Sequence, residues 1–191
     1  MKRTSIIQVH QVYERREGGK PWRAAFSLVE LVIVVVIIGI IAAIAVPRIS
    51  TGARGAGEAA LRGNLKALRD AIDRYSAEHN GDLPGAKSDG LGNAANSPQA
   101  FVNQLTKYSN VSGGVSMTPA ATHSYGPYIM RIPPLPVGSN NGKDAVGIDA
   151  TNSPPLVIVG SQGWVYNPVT GEIIANSDDA NFDGSLTFDE Y

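Results

Sequence analysis

Arg23-Ala-Ala-Phe-Ser-Leu-Val-Glu30 runs directly into Leu31-Val-Ile-Val-Val-Val-Ile-Ile-Gly-Ile-Ile-Ala-Ala-Ile-Ala-Val46-Pro47, and this stretch decides the fold. Leu31 to Val46 is a charge-free run of 16 residues; Phe26 to Val29 extend it to membrane length with Glu30 inside. About 20 apolar residues cross a bilayer core as a helix. A carboxylate within such a segment costs several kcal/mol, so Glu30 calls for a functional reason. The preceding residues, Met1 to Ala25, hold six basic side chains (Lys2, Arg3, Arg15, Arg16, Lys20, Arg23) against Glu14 and Glu17. That excess puts the amino terminus in the cytoplasm and the rest of the chain outside. An ordinary secretory signal, with Ala43 and Ala45 as a small-x-small site before Pro47, and a plain signal anchor are the alternatives. Neither has a use for Glu30.

The Ala25-Phe26-Ser27-Leu28-Val29-Glu30 run resembles the class III signal of type IV pilins and type II secretion pseudopilins. The resemblance implies cleavage between Ala25 and Phe26 by a prepilin peptidase, and N-methylation of Phe26. It makes Glu30 the fifth residue of the mature chain, where it meets the amino terminus of a neighbouring subunit during assembly. Pro47 falls where many such proteins kink their first helix. The residue before the cut is usually Gly; Ala25 departs from that pattern but is similarly small.

Without residues 1–25 the chain keeps 166 residues, and beyond the 26–47 segment the exported part, 48–191, is the size of one compact domain. Taking the leader's six bases and two acids from 16 and 17 leaves 10 and 15, a net charge of −5. No basic patch for nucleic acid is left in the exported part. There are no cysteines, so no disulfide staples the domain in an oxidising compartment. Many pilins close a carboxy-terminal loop with a disulfide and major pseudopilins commonly do not, which favours the pseudopilin branch.

After Pro47 a helix resumes, with Leu61, Leu65, Leu68, Ile72 and Tyr75 as its apolar stripe. Gly52, Gly55, Gly57 and Gly63 weaken its start and read either as a loose linker or as a helix able to melt or pack closely. Asn80-Gly81 and Pro84 end it. Residues 81 to 96 and 109 to 124 read as loops, and Ser97-Pro98 caps a short helix with Phe101, Val102, Leu105 and Tyr108 on one face. Tyr125 to Gly138 resembles the pseudopilin segment in which an apolar strand enters a proline-rich turn. Leu156 to Val159 reads as a strand. Gly163 to Tyr166 reads as pairing with Glu172 to Ala175 across Asn167-Pro-Val-Thr-Gly171. Trp164, Tyr166 and Tyr128 are assigned to core and rim.

Asp179-Ala-Asn181-Phe-Asp183-Gly184-Ser185-Leu186-Thr187-Phe-Asp-Glu190 fits the twelve-position EF-hand loop without gaps. Asp179, Asn181 and Asp183 supply oxygens at positions one, three and five, and Gly184 the turn at six. Ser185 gives a carbonyl at seven, Thr187 sits at nine and Glu190 offers a bidentate carboxylate at twelve. Such hard oxygen donors suit a structural calcium ion. A solvated acidic tail is the competing reading, since the chain offers one copy of the loop and no long exiting helix. His10, His79 and His123 are isolated from any nucleophile, and no enzyme constellation is visible.

The expected fold is therefore α+β and pilin-like: a long amino-terminal helix, half transmembrane and half amphipathic, packed on a small antiparallel β-sheet. The expected role is a type II secretion pseudopilus subunit, with a type IV pilus subunit or a tethered calcium-binding domain as alternatives. Its expected partners are copies of itself in a helical fibre, the prepilin peptidase, the secretion assembly platform, minor pseudopilins and the inner membrane, with no nucleic acid.

Overall fold

The structure, a computed structural model, describes residues 26–158 and 160–191, with side chains at positions 46, 47 and 49–51 left aside. The leader, Ala25, the side chain of Pro47 and Val159 thus lie outside the described residues. The chain divides into two compact units, Met1–Ala45 and Val46–Tyr191.

The first unit contributes the opening of helix α1 (Leu28–Glu78). Its first turn is closed by the Leu31 amide donating to the Ser27 carbonyl at 3.1 Å. Leu28–Ala45 is long and apolar enough to cross a membrane, and none of it is buried. At 1.5 Å per residue these 18 residues extend about 27 Å, close to the thickness of a bilayer core.

In the second unit α1 presents Leu61, Leu65, Leu68, Ile72 and Tyr75 inward, all buried. Helical periodicity explains this: residues three and four apart share a face. The helix runs through Gly52, Gly55, Gly57 and Gly63, so the linker reading of those glycines is not what the structure adopts. It stops at Glu78, and Asn80 and Gly81 follow in the left-handed region (φ 58° and 85°). Helix α2 (Pro98–Thr106) begins as expected, with the Ser97 hydroxyl accepting from the Ala100 amide at 3.2 Å and Pro98 in the first turn. It buries Phe101 and Leu105 against the same core.

Two small sheets complete the α+β fold. Strands β1 (Tyr108–Ser109) and β2 (Val115–Ser116) pair antiparallel; Ser109 and β2 lie in residues read from sequence as loop, and Tyr108, expected on the helix face, falls in β1 because α2 ends at Thr106. The second sheet has the order β3 (Val146–Ile148), β4 (Trp164–Tyr166), β5 (Ile173–Ala175). The hairpin β4–β5 forms where expected, with Trp164 opposite Ala175 and Tyr166 opposite Ile173. The sheet is nevertheless mixed, because β3 lies parallel to β4.

Leu156 to Ile158 form no strand, contrary to the apolar run. The Leu156 amide donates to the Asp149 carboxylate at 3.0 Å, and the Ile158 amide to Asn176 Oδ1 at 2.8 Å. Side chains thus take the hydrogen bonds a neighbouring strand would have supplied. Tyr125 to Gly138 forms no named strand either; Tyr125 only bridges Ser109. Trp164, Tyr166 and Tyr128 are buried as assigned. Trp164 donates its indole N–H to the Pro133 carbonyl at 2.7 Å, which anchors the proline-rich segment over the core.

Candidate assembly segment and carboxy-terminal loop

At the amino-terminal end, Phe26 is 79% exposed and the large apolar side chains from Leu28 to Ile44 are exposed all round. Water does not tolerate such a surface; hydrocarbon or other apolar helices do. Glu30 sits in the first turn of α1, where a negative charge is favoured by the unpaired amides of the helix end. Position 47 lies within α1.

Residues 23–46 carry the prokaryotic N-terminal methylation motif. This is the class III signal of pilin- and pseudopilin-type subunits, and it indicates a subunit of that general kind. It implies processing by prepilin peptidase and pilus-type polymerisation, and with the single apolar helix it fits a membrane-anchored, single-pass protein. No curated protein and no solved structure matches the chain.

The carboxy-terminal loop is built as a closed ring of backbone contacts. The Asn181 amide donates to the Leu186 carbonyl at 2.9 Å, the Phe188 amide donates to the Asp179 carbonyl at 3.0 Å, and Ala180 bridges Thr187. At the tip, Gly184 adopts φ 71° and its amide reaches the Asn181 carbonyl. A residue with a Cβ is disfavoured there, which is why glycine occupies the sixth loop position. Phe188 is buried in the core cluster and holds the loop down. Thr187 and Glu190 then form a capping box around one 3₁₀ turn, Phe188–Glu190.

The donor set has calcium chemistry, but the carboxylates do not converge. Among the described residues no group of three or more His, Asp or Glu side chains is placed to hold a metal ion. Asp179 Oδ2 instead accepts from the Ser177 hydroxyl at 2.7 Å and the Ser139 amide at 2.5 Å. Asp183 Oδ1 accepts from the Ser185 amide at 2.9 Å, and Glu190 Oε2 from the Thr187 amide at 2.7 Å and its hydroxyl at 3.0 Å. These bonds hold all three carboxyls below their ordinary titration range: the Ser177 hydroxyl acts first on Asp179, Ser185 on Asp183 and the Thr187 amide on Glu190. Asn181 Oδ1 accepts from the Ser185 amide at 3.0 Å. The turn is formed; a bound ion taking Glu190 in bidentate fashion would compete with Thr187 for Oε2, while Asp179 keeps Oδ1 beside the engaged Oδ2.

Three features escaped sequence reading. Glu58, in an Ala- and Gly-rich stretch, accepts the Phe182 amide on Oε1 at 2.5 Å and the Tyr191 hydroxyl on Oε2 at 3.4 Å, tying the loop to α1. Arg62 lies over the Tyr191 ring 4.8 Å from its centre, four residues further along the helix. His79 is fully buried, its ring stacked on Tyr75 with centroids 3.7 Å apart and Nε2 3.0 Å from the Ser109 hydroxyl. Its place four residues after Tyr75 on the apolar stripe was the available signal.

Proposed function

We propose that the chain is a structural subunit of a type II secretion pseudopilus. Prepilin peptidase cuts between Ala25 and Phe26 and the new amino terminus is methylated. Subunits wait in the bacterial inner membrane with the amino terminus cytoplasmic and residues 48–191 periplasmic. The secretion assembly platform, with minor pseudopilins, draws them into a fibre whose growth drives protein secretion. The observation that carries this reading is a fully exposed apolar helix holding one carboxylate, Glu30, inside a methylation motif. In the fibre Glu30 is neutralised by the amino group of a neighbour's Phe26, which removes the cost of a lone charge among apolar helices. The part played by the globular unit is structural, without catalysis.

The loop 179–190 supports a calcium ion as a structural cofactor, held by Asp179, Asn181, Asp183, Ser185, Thr187 and Glu190. The support is the twelve-position spacing and the left-handed Gly184 at its turn. The ion would neutralise carboxylates that otherwise repel one another. A type IV pilus subunit remains the second reading, since the motif serves both assemblies.

Co-expression with a prepilin peptidase tests processing: mass spectrometry is expected to find a chain beginning at N-methylated Phe26, and an uncut chain overturns the reading. Glu30→Leu is expected to be processed yet to abolish fibres; unchanged fibres sink the neutralisation mechanism. Deletion of the subunit in its host separates the assemblies, with loss of secreted enzymes expected and loss of surface motility alone pointing to a pilus.

A further inference from the structure

A fibre of identical subunits grows by head-to-tail contacts, in which two different, complementary patches of the subunit meet. The first patch is a cleft of about 470 Å³ between α1 at Ala53–Glu58, the Pro136–Gly138 turn and the loop residues Asn181, Phe182 and Phe188. Val137 and the two phenylalanines give it apolar walls, and Phe182 is half exposed. Arg54 stands on one wall, and Glu58 is already engaged by Phe182 and Tyr191. On the opposite bank the lining residues Ala180–Phe182 are flanked by the exposed Asp179 and Asp183, so the loop behind that bank is acidic; with Asp178 and Asp189 beside them it stays so with one divalent cation bound.

The complementary knob is Met130. It is 91% exposed, the most exposed large apolar side chain described in the molecule. The next residue, Arg131, is exposed and makes no hydrogen bond or ion pair within the described chain. The other strongly exposed apolar residues of the unit lack this pairing: Met117 is flanked by Ser116 and Thr118, Val169 lies near Glu172, Leu156 stands between Pro155 and Val157, and Leu91 follows Asp89 and Gly90. An unbranched thioether fills irregular apolar gaps well, and a guanidinium suits a carboxylate rim.

We propose that Met130 of one copy inserts into the Ala53–Phe182 cleft of a second copy, with Arg131 against the acidic bank of that cleft. The proposal rests on the polymer reading above. Ile129 sits against α1 at Ala67, Asp70, Asp73 and Arg74, about 15 residues beyond the cleft on the same helix. Parallel copies joined this way are offset along the helix direction by about 22 Å. Because knob and cleft differ, each copy offers one of each, and the contact extends indefinitely.

The test uses the full chain, which has no native cysteine, carrying Ala53→Cys and Met130→Cys together. Oxidised fibres are expected to give a ladder of dimers, trimers and longer species, with monomer from either single variant. Fibres of the double variant without a ladder overturn this contact while leaving the proposed function standing. Absence of fibres from the cysteine-free protein overturns both. Independently, Met130→Asp sets a carboxylate against the acidic bank and is expected to lower fibre yield at least about tenfold, while Met117→Asp leaves it unchanged. Equal yields from the two variants overturn the contact.

Discussion

Glu58 and Phe182 stand 124 residues apart in sequence, and the carboxylate of the first accepts the backbone amide of the second at 2.5 Å. A helix side chain thus holds the tip of the acidic loop through the main chain, so the identity of the loop side chain is not what makes the bond. Glu58→Ala removes the acceptor and is expected to cost about 1 kcal/mol, a partly exposed charge-assisted bond being worth less than a buried one. Glu58→Gln keeps an acceptor and is expected to cost less. Denaturant unfolding measures both, and amide exchange at Phe182 is expected to accelerate in Glu58→Ala first.

The glycines of α1 divide by surroundings. A Cβ at Gly57 would lie 3.0 Å from Val137 Cγ1, whereas at Gly63 it would meet nothing within 4 Å. Gly63→Ala is therefore expected to stabilise the domain by about 1 kcal/mol through helix propensity alone. Gly57→Ala gains the same propensity but presses on the Pro136–Val137 turn, and is expected to gain less or to lose stability. Paired thermal melts decide; equal gains would show that the turn yields freely.

Acid is expected to loosen the surface loops before the core. Asp149 is pulled from the ordinary 3.8 down to about 2, chiefly by the Leu156 amide, then by the Asn152 side chain and the Thr151 amide. Asp179, Asp183 and Glu190 are lowered too. Groups whose folded pKa is depressed contribute stability above their unfolded value and lose it as pH falls through the folded one. The contribution of Asp149 is thus full above about pH 5 and disappears between 3.8 and about 2. Asp149→Asn is expected to flatten the acid slope of the melting temperature in that window.

Calcium is expected to raise the melting temperature of the protein, with chelator reversing the shift and Glu190→Gln abolishing it. At a free ion concentration one hundred times Kd the gain is about 2.7 kcal/mol. Equal midpoints with calcium and chelator would remove the ion from the proposed function.

The helical parts of this fold were legible because their signals are periodic or local. Leu61 to Tyr75 repeats at the pitch of a helix, and Ser97-Pro98 and Asn80-Gly81 mark ends by chemistry confined to two residues. The β4–β5 hairpin was legible for the same reason, since its turn and both strands lie within thirteen residues. Strand β3 was not, because three residues between Asp144 and Asp149 carry no pattern and its partner is parallel and distant. Leu156 to Ile158 misled because β-branched composition reports an apolar environment without saying who takes the amides. The oxygen spacing of the 179–190 loop could be read directly. The directions of its carboxylates could not, because Ser139 and Ser177, which hold Asp179, lie outside the motif.

The same device recurs in the other loops, with the side chain buried at Asp89 and Asn167. Asp89 receives the amides of Leu91 and Asn93, Asn110 those of Ser112 and Gly114, Asp149 those of Thr151, Asn152 and Leu156, and Asn167 those of Val169 and Thr170. Each loop is tied off by one side-chain oxygen near its root, and those at Asn110 and Asn167 are also the turns of β1–β2 and β4–β5. Such loops are separable cassettes. A lineage, or an engineer, that keeps the single Asp or Asn can exchange the residues beyond it without disturbing the helix and hairpin beneath, so the face this protein shows to its surroundings is free to diversify while the part that must stack stays fixed.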